Sequence, residues 1–207
     1  MDAMPSPVVG FDLDLTLVDT RARILFAAMA GFADLGVEVG EADLVPLLGF
    51  PLAHKAAQLA PRLDPEAFTR QYRLHYRSDR APSCPAAPGA AAALDAVRDL
   101  GGRCVVVSAK AEFLVHEALA HAGLAKAVDA VHGGVFAEGK APALREEGAH
   151  VYVGDHPGDV VAARVAGCAA VAVATGATEA DGLRSAGADV VLRTLEEFPA
   201  WYRTRVR

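Results

Sequence analysis

The sequence predicts an α/β fold: a parallel sheet covered by helices on both faces, with an all-helical segment inserted after the first strand. Three observations predict it. Short, mostly Val-rich apolar runs recur along the chain, helical patterns alternate with them, and one long stretch breaks that alternation with helices alone. The apolar runs are Pro7–Phe11, Cys104–Val107, Val151–Val153, Ala169–Val173 and Val190–Leu192. Each is bounded by polar residues or glycine, as strands buried on both faces are. Helical patterns lie between them at roughly Ala90–Leu100, Ala111–Ala122, Ala141–Glu147, Pro157–Ala166 and Glu179–Ala186. Gly101, Gly123, Gly148, Gly167 and Gly187 each stand just past one of these patterns, where a helix ends by turning left-handed.

From about Leu17 to Cys84 only helical patterns occur, among them Arg21–Leu35 and Pro65–Arg80. Arg70, Arg73, Arg77 and Arg80 recur there at helical spacing and read as an exposed face. The proline-rich stretch Ala81–Gly89 cannot be helix interior and reads as the return linker. The chain therefore divides into an α/β core of residues 1–16 and 85–207 and a helical domain of residues 17–84.

At 207 residues the chain is long enough for one sizeable core and a small insert. Its 53% hydrophobic and 22% charged residues are the balance of a soluble globular protein. A formal charge of −6 argues against a nucleic-acid partner, since phosphate backbones are met by basic surfaces. The segment Met1–Pro5 has no secretory pattern, and no apolar run is long enough for a membrane span. Cys84, Cys104 and Cys168 are odd in number and widely spaced, so neither a disulfide framework nor a zinc knuckle is expected. A cytoplasmic protein fits these features.

Ligands of open parallel sheets bind outside the carboxyl ends of the strands. The polar residues there are informative. The first run ends in Asp12, Asp14 and Thr16, the second in Ser108, and the third in Asp155 and Asp159. Taken singly, each fits a helix cap or a turn. Taken together, they place four carboxylates at one sheet edge, where they repel unless a cation intervenes. A hard divalent ion such as Mg2+ resolves that repulsion. Lysine is scarce, at four residues against sixteen arginines. Lys140 opens the helix before the third run and can point at the same edge. Lys110 competes for that role by its closeness to Ser108, and an exposed side chain is the alternative for Lys140.

These residues resemble the motifs of the haloacid dehalogenase superfamily. Asp12-Leu13-Asp14-Leu15-Thr16 is similar to its D-x-D-x-T motif, Ser108 to its second-strand Ser or Thr, Lys140 to its lysine, and Gly154-Asp155 with Asp159 to its G-D-x-x-x-D motif. The insert resembles the helical cap of the phosphoglycolate phosphatase and β-phosphoglucomutase branch. Two departures stand out: many relatives carry glycine where Leu15 stands, and Asn where Ala109 stands.

The resemblance implies a Rossmann-like core and a Mg2+-dependent phosphatase acting on a small phosphorylated metabolite, such as phosphoglycolate or a sugar phosphate. It implies Asp12 as nucleophile through an aspartyl-phosphate, and Asp14 as general acid and base. Ser108 and Lys140 would bind the phosphoryl group. Asp12, the backbone carbonyl of Asp14, Asp155 and Asp159 would hold the metal. Gly49-Phe50-Pro51-Leu52 resembles the loop with which relatives probe the substrate. Arg21, Arg23, His54 and Lys55 are candidates for its leaving-group end, and each also fits a solvated helix face. His156 borders the site or caps a turn. A phosphomutase using the same aspartates and a non-catalytic module that kept the fold are the competing readings. No nucleic-acid or membrane partner is expected, and the chain is expected to act as a monomer or weak homodimer.

Overall fold

The computed structural model describes residues 6–205; the Met1–Pro5 segment read above for a leader lies outside them. Strand β1 (Val8–Phe11) is followed by four helices, α1 (Arg21–Ala33), α2 (Glu41–Leu44), α3 (Leu52–Leu59) and α4 (Pro65–Tyr76). The chain then runs through α5 (Ala90–Arg98), β2 (Arg103–Val107), α6 (Glu112–His121), β3 (Ala130–His132) and α7 (Ala141–Glu146). It closes with β4 (Ala149–Gly154), α8 (Pro157–Ala166), β5 (Ala169–Val173), α9 (Ala180–Ser185), β6 (Val190–Leu192) and α10 (Phe198–Arg205).

Among the described residues the strands form one six-stranded sheet in the order β3-β2-β1-β4-β5-β6, and every pairing is parallel. The period of two decides which face each side chain meets. Val9, Phe11, Cys104, Val106, Val151, Val153, Val171 and Val173 pack with α5, α6 and α10. Val8, Val105, Val107, Tyr152, Ala170 and Ala172 pack with α7, α8 and α9. Both faces are thus covered, as the apolar runs require. Gly10 lies on the second face, where an added Cβ would sit 2.7 Å from Leu144 and 2.9 Å from Tyr152.

Three elements differ from the sequence reading. Strand β3 was not foreseen: it has three residues, all half-buried at the sheet edge, too few to show a pattern. The helix expected over Arg21–Leu35 ends at Ala33, because the chain turns left-handed at Gly36 (φ 73°). The helix expected to reach Arg80 ends at Tyr76, where Ser78 Oγ donates to the freed carbonyl of His75 at 2.8 Å.

The helices after β1 carry their own hydrophobic cluster of Ile24, Leu25, Phe32, Phe68, Tyr72 and Tyr76, among others. Phe32 stacks on Phe68 at 4.0 Å. Gly31 lets α1 approach α4 closely, since a Cβ there would come 3.0 Å from the Tyr72 nitrogen. Leu15, from the loop after β1, and Leu114, from α6, complete this cluster from outside it. The outgoing and returning chains run side by side: Asp19 N–H donates to Pro85 O and Ala87 N–H to Leu17 O, both at 2.9 Å. Arg23 clamps the return linker by donating to the carbonyls of Tyr76, Ala81 and Pro82.

Candidate active site

The sheet order places the topological switch between β1 and β4, which run outward to opposite edges from there. Asp12 follows β1 directly, and Asp155 follows β4 directly. Asp159 lies in the first turn of α8, and Lys140 ends the 3-10 turn Ala137–Lys140 ahead of α7. All four are buried. One oxygen of each of Asp12, Asp155 and Asp159 lies within 4.8 Å of the others.

Lys140 joins this group. Its Nζ donates to Asp12 Oδ1 at 2.9 Å, Asp159 Oδ1 at 2.6 Å and the Tyr152 hydroxyl at 2.8 Å. The Tyr152 hydroxyl in turn donates to Val107 O at 2.6 Å, which fixes the acceptor that orients Lys140. Asp159 Oδ2 accepts the His156 N–H at 3.1 Å, so this carboxylate also caps its helix. Gly154 is required by that arrangement, because a Cβ there would meet Asp159 Oδ2 at 2.3 Å. Thr16 Oγ1 donates to Asp155 Oδ1 at 3.3 Å.

One ammonium among three buried carboxylates leaves the cluster net negative. Burial, above all, pushes the Asp12 carboxyl up to about 6; Lys140 opposes the rise, and Asp159 and Asp14 add to it. Burial and then the charges of Asp12 and Asp159 raise Asp155 well above the ordinary carboxylate range. An all-oxygen donor set short of positive charge fits a hard divalent cation.

Ser108, at the end of β2, is buried and accepts the Lys110 N–H at 3.3 Å, which leaves its hydroxyl hydrogen to donate. The carboxylate of Asp14 stands apart from the acidic cluster. Lys110 Nζ lies 3.1 Å from its Oδ1 but off the hydrogen-bonding direction, so that oxygen has a charge beside it and no donor aimed at it. The two lysines that competed in the sequence are thus divided: Lys140 meets Asp12, and Lys110 meets Asp14.

A cavity of about 210 Å³ opens beside Asp14, between the core and the inserted helices. Gly49, Phe50, Lys55, Arg73, Ala109 and Lys110 are among its lining residues. Phe50 stacks on His54 at 4.5 Å and meets the rings of His156 at 4.6 Å and Phe136 at 5.7 Å, so a loop of the insert touches two loops of the core. His156 therefore both borders the insert and caps α8, where its Nδ1 accepts the Gly158 N–H at 3.0 Å.

Other sequence candidates are occupied elsewhere. Arg21 Nη2 donates to Gly176 O at 3.2 Å, outside the cavity lining, and Arg23 holds the return linker. Arg70, Arg73, Arg77 and Arg80 are exposed as expected, yet Arg73 and Arg77 also reach across to α6, with their guanidinium carbons 5.7 Å and 5.8 Å from the Phe113 ring centre.

Tyr152, Thr175 and Gly176 were missed. Tyr152 had a visible signal: a phenol in a buried apolar strand needs a polar partner. Thr175 and Gly176 follow β5, a strand end that carries no acidic residue. Thr175 Oγ1 donates to Leu15 O at 2.6 Å, and a Cβ on Gly176 would come 1.8 Å from Asp155 Oδ2. Leu15 itself has φ 60°, the left-handed region, which glycine enters without strain and a branched side chain does not.

The haloacid dehalogenase-like hydrolase profile matches residues 9–173. The chain is 32% identical over 216 residues to a plasmid-borne phosphoglycolate phosphatase of Cupriavidus necator, covering 96% of this chain and 94% of that one. It is 31% identical over 210 residues to a phosphoglycolate phosphatase of Chromobacterium violaceum, covering 92% and 93%. The fold is similar to that of a predicted phosphatase from Clostridium acetobutylicum, with TM-score 0.85 and 22% identity over 96% of this chain and 99% of that one. A haloacid dehalogenase-like hydrolase from Streptococcus pneumoniae superposes with TM-score 0.84 at 21% identity, covering 96% and 100%. With an acidic switch-point site and these relatives along nearly its whole length, the chain belongs to the haloacid dehalogenase-like hydrolases.

Proposed function

We propose that this protein is a phosphatase that hydrolyses a small phosphorylated metabolite, of the phosphoglycolate or sugar phosphate type, through an aspartyl-phosphate on Asp12. The observation that carries the reading is the group Asp12, Asp155, Asp159 and Lys140, buried together at the switch point.

Asp12 is the first residue beyond β1, and one of its oxygens is held by Lys140, so the other is available to attack phosphorus. Ser108 and Lys140 supply donors for the phosphoryl oxygens, whose charge must be stabilised in the transition state. Magnesium, held by Asp12, the carbonyl of Asp14, Asp155 and Asp159, would screen the nucleophile from the charge of the phosphate. Asp14, beside the cavity, protonates the leaving oxygen in the first step and takes a proton from water in the second. The inserted helices act as a cap: with Phe50 seated against His156 and Phe136, they exclude water from the reacting group.

Three free, buried cysteines agree with a reducing compartment.

The test is turnover of p-nitrophenyl phosphate with magnesium by Asp12→Asn. Activity is expected to fall at least ~10³-fold, as when a covalent nucleophile is removed. Activity within tenfold of the parent would sink the nucleophile assignment.

A further inference from the structure

Asp155 is confined on both sides of its carboxylate. Its Oδ1 accepts the Thr16 hydroxyl at 3.3 Å. Its Oδ2 lies against Gly176, in the loop of residues 174–177 after β5, where an added Cβ would come within 1.8 Å. Glycine admits this approach because it has no side chain, but its backbone is also the most permissive of any residue. The placement of the loop against Asp155 is therefore set by what tethers the residues around Gly176.

Three tethers are present, and each leads to the inserted helices. Thr175 Oγ1 donates to Leu15 O at 2.6 Å, and the Leu15 side chain packs among those helices. Arg21, the first residue of α1, is half-buried and donates from Nη2 to Gly176 O at 3.2 Å. Ala177 packs against the hydrophobic cluster of the insert. The backbone beside Asp155 is thus gripped before Gly176 by the loop that carries Asp12 and Asp14, and at and after Gly176 by the insert itself.

We propose that the loop of residues 174–177 couples the inserted helices to the metal site, with Arg21 and Thr175 as positioning residues that act on Asp155 through Gly176. This deepens the phosphatase reading and rests on the metal site it assigns. Docking of the insert then tightens magnesium, and magnesium in turn favours the docked insert, because coupling between two sites is reciprocal.

The experiment measures magnesium binding to the full chain by titration calorimetry, without substrate. Arg21→Gln and Thr175→Val are each expected to weaken the Kd by about tenfold, the lower end of what losing a group that orients a metal ligand costs. Arg62→Gln, at an exposed arginine of the insert, is expected to leave the Kd unchanged. Melting temperatures in EDTA are expected to move by no more than about 4 °C, so the weakening does not come from unfolding. Hydrogen exchange reads the coupling from the other end. In the parent, saturating magnesium is expected to slow exchange in the first turn of α1 by up to about tenfold, and in Arg21→Gln to leave it unchanged. A merely structural role for Arg21 would speed exchange equally with and without magnesium. A parent-like Kd in either variant overturns the inference and leaves the phosphatase reading intact. Magnesium that slows exchange in α1 equally in the parent and in Arg21→Gln also overturns it. If the parent binds no magnesium, the acidic cluster is not a magnesium site and the inference falls with that reading.

Discussion

Without a bound cation, Asp12 should make the folded protein less stable as pH rises. Its carboxyl is displaced upward from 3.8 to about 6 by burial, so between those values the folded chain holds a proton that the unfolded chain has released. The stability this provides is complete below about pH 4 and is lost as pH climbs through about 6. At ~1.36 kcal/mol per pH unit, the displacement corresponds to about 3 kcal/mol. Asp155, also raised, acts in the same direction. Glu147 opposes it: despite partial burial, His132 and Arg103 bring its carboxyl below the usual range. The decisive quantity is therefore a difference. Asp12→Asn, which mimics the protonated acid, is expected to match the parent near pH 4 and to exceed it by about 3 kcal/mol at pH 7. Urea denaturation in EDTA at half-unit pH steps measures this, and repeating it with magnesium is expected to remove most of the advantage. An Asp12→Asn variant no more stable than the parent at pH 7 in EDTA would refute the claim that Asp12 is held against its charge.

Two further substitutions probe the loops around the cluster. Leu15→Gly relieves a left-handed backbone, worth about 1 kcal/mol, but deletes a buried side chain worth about 2–5 kcal/mol, so thermal melts should show a net loss. A melting temperature equal to the parent's would mean that strain offsets packing at this position. Gly176→Ala forces Asp155 to move, since the new Cβ would lie 1.8 Å from its Oδ2. Misplacing a reacting-site group by about 1 Å costs roughly 10²-fold, so kcat/KM is expected to fall by that order while the melting temperature changes little. Activity within twofold of the parent would show that Asp155 does not need its present position.

Much of the core was legible because parallel strands bury both faces and leave nearly uninterrupted apolar runs. Val8–Phe11, Ala169–Val173 and Val190–Leu192 fall within or on the expected runs for that reason. Strand β3 was not legible, since Ala130, Val131 and His132 are half-exposed at an edge and need no apolar signature. The acidic residues were readable because each follows a strand end, and strand ends converge in this topology. What the sequence could not tell was which lysine serves which aspartate. Lys110 and Lys140 are both near the sheet edge in the chain, and only the Tyr152 hydroxyl, reaching across from β4, fixes Lys140 on Asp12 and Asp159. Lys55 was equally undecided, because a helix carrying one lysine looks the same whether that side chain points to water or into a cavity.

Leu15 belongs to the loop that carries Asp12 and Asp14, yet its side chain packs among the inserted helices and its carbonyl is held by Thr175. The two halves of the protein are consequently not interchangeable parts. Grafting the helices of a relative between β1 and β2 would set a foreign surface against Leu15 and press on the backbone that aims the two aspartates. Glycine at position 15 would make no such demand on the insert. Exchange of the insert should therefore succeed better when the core residues at positions 15 and 114 travel with the helices they pack against.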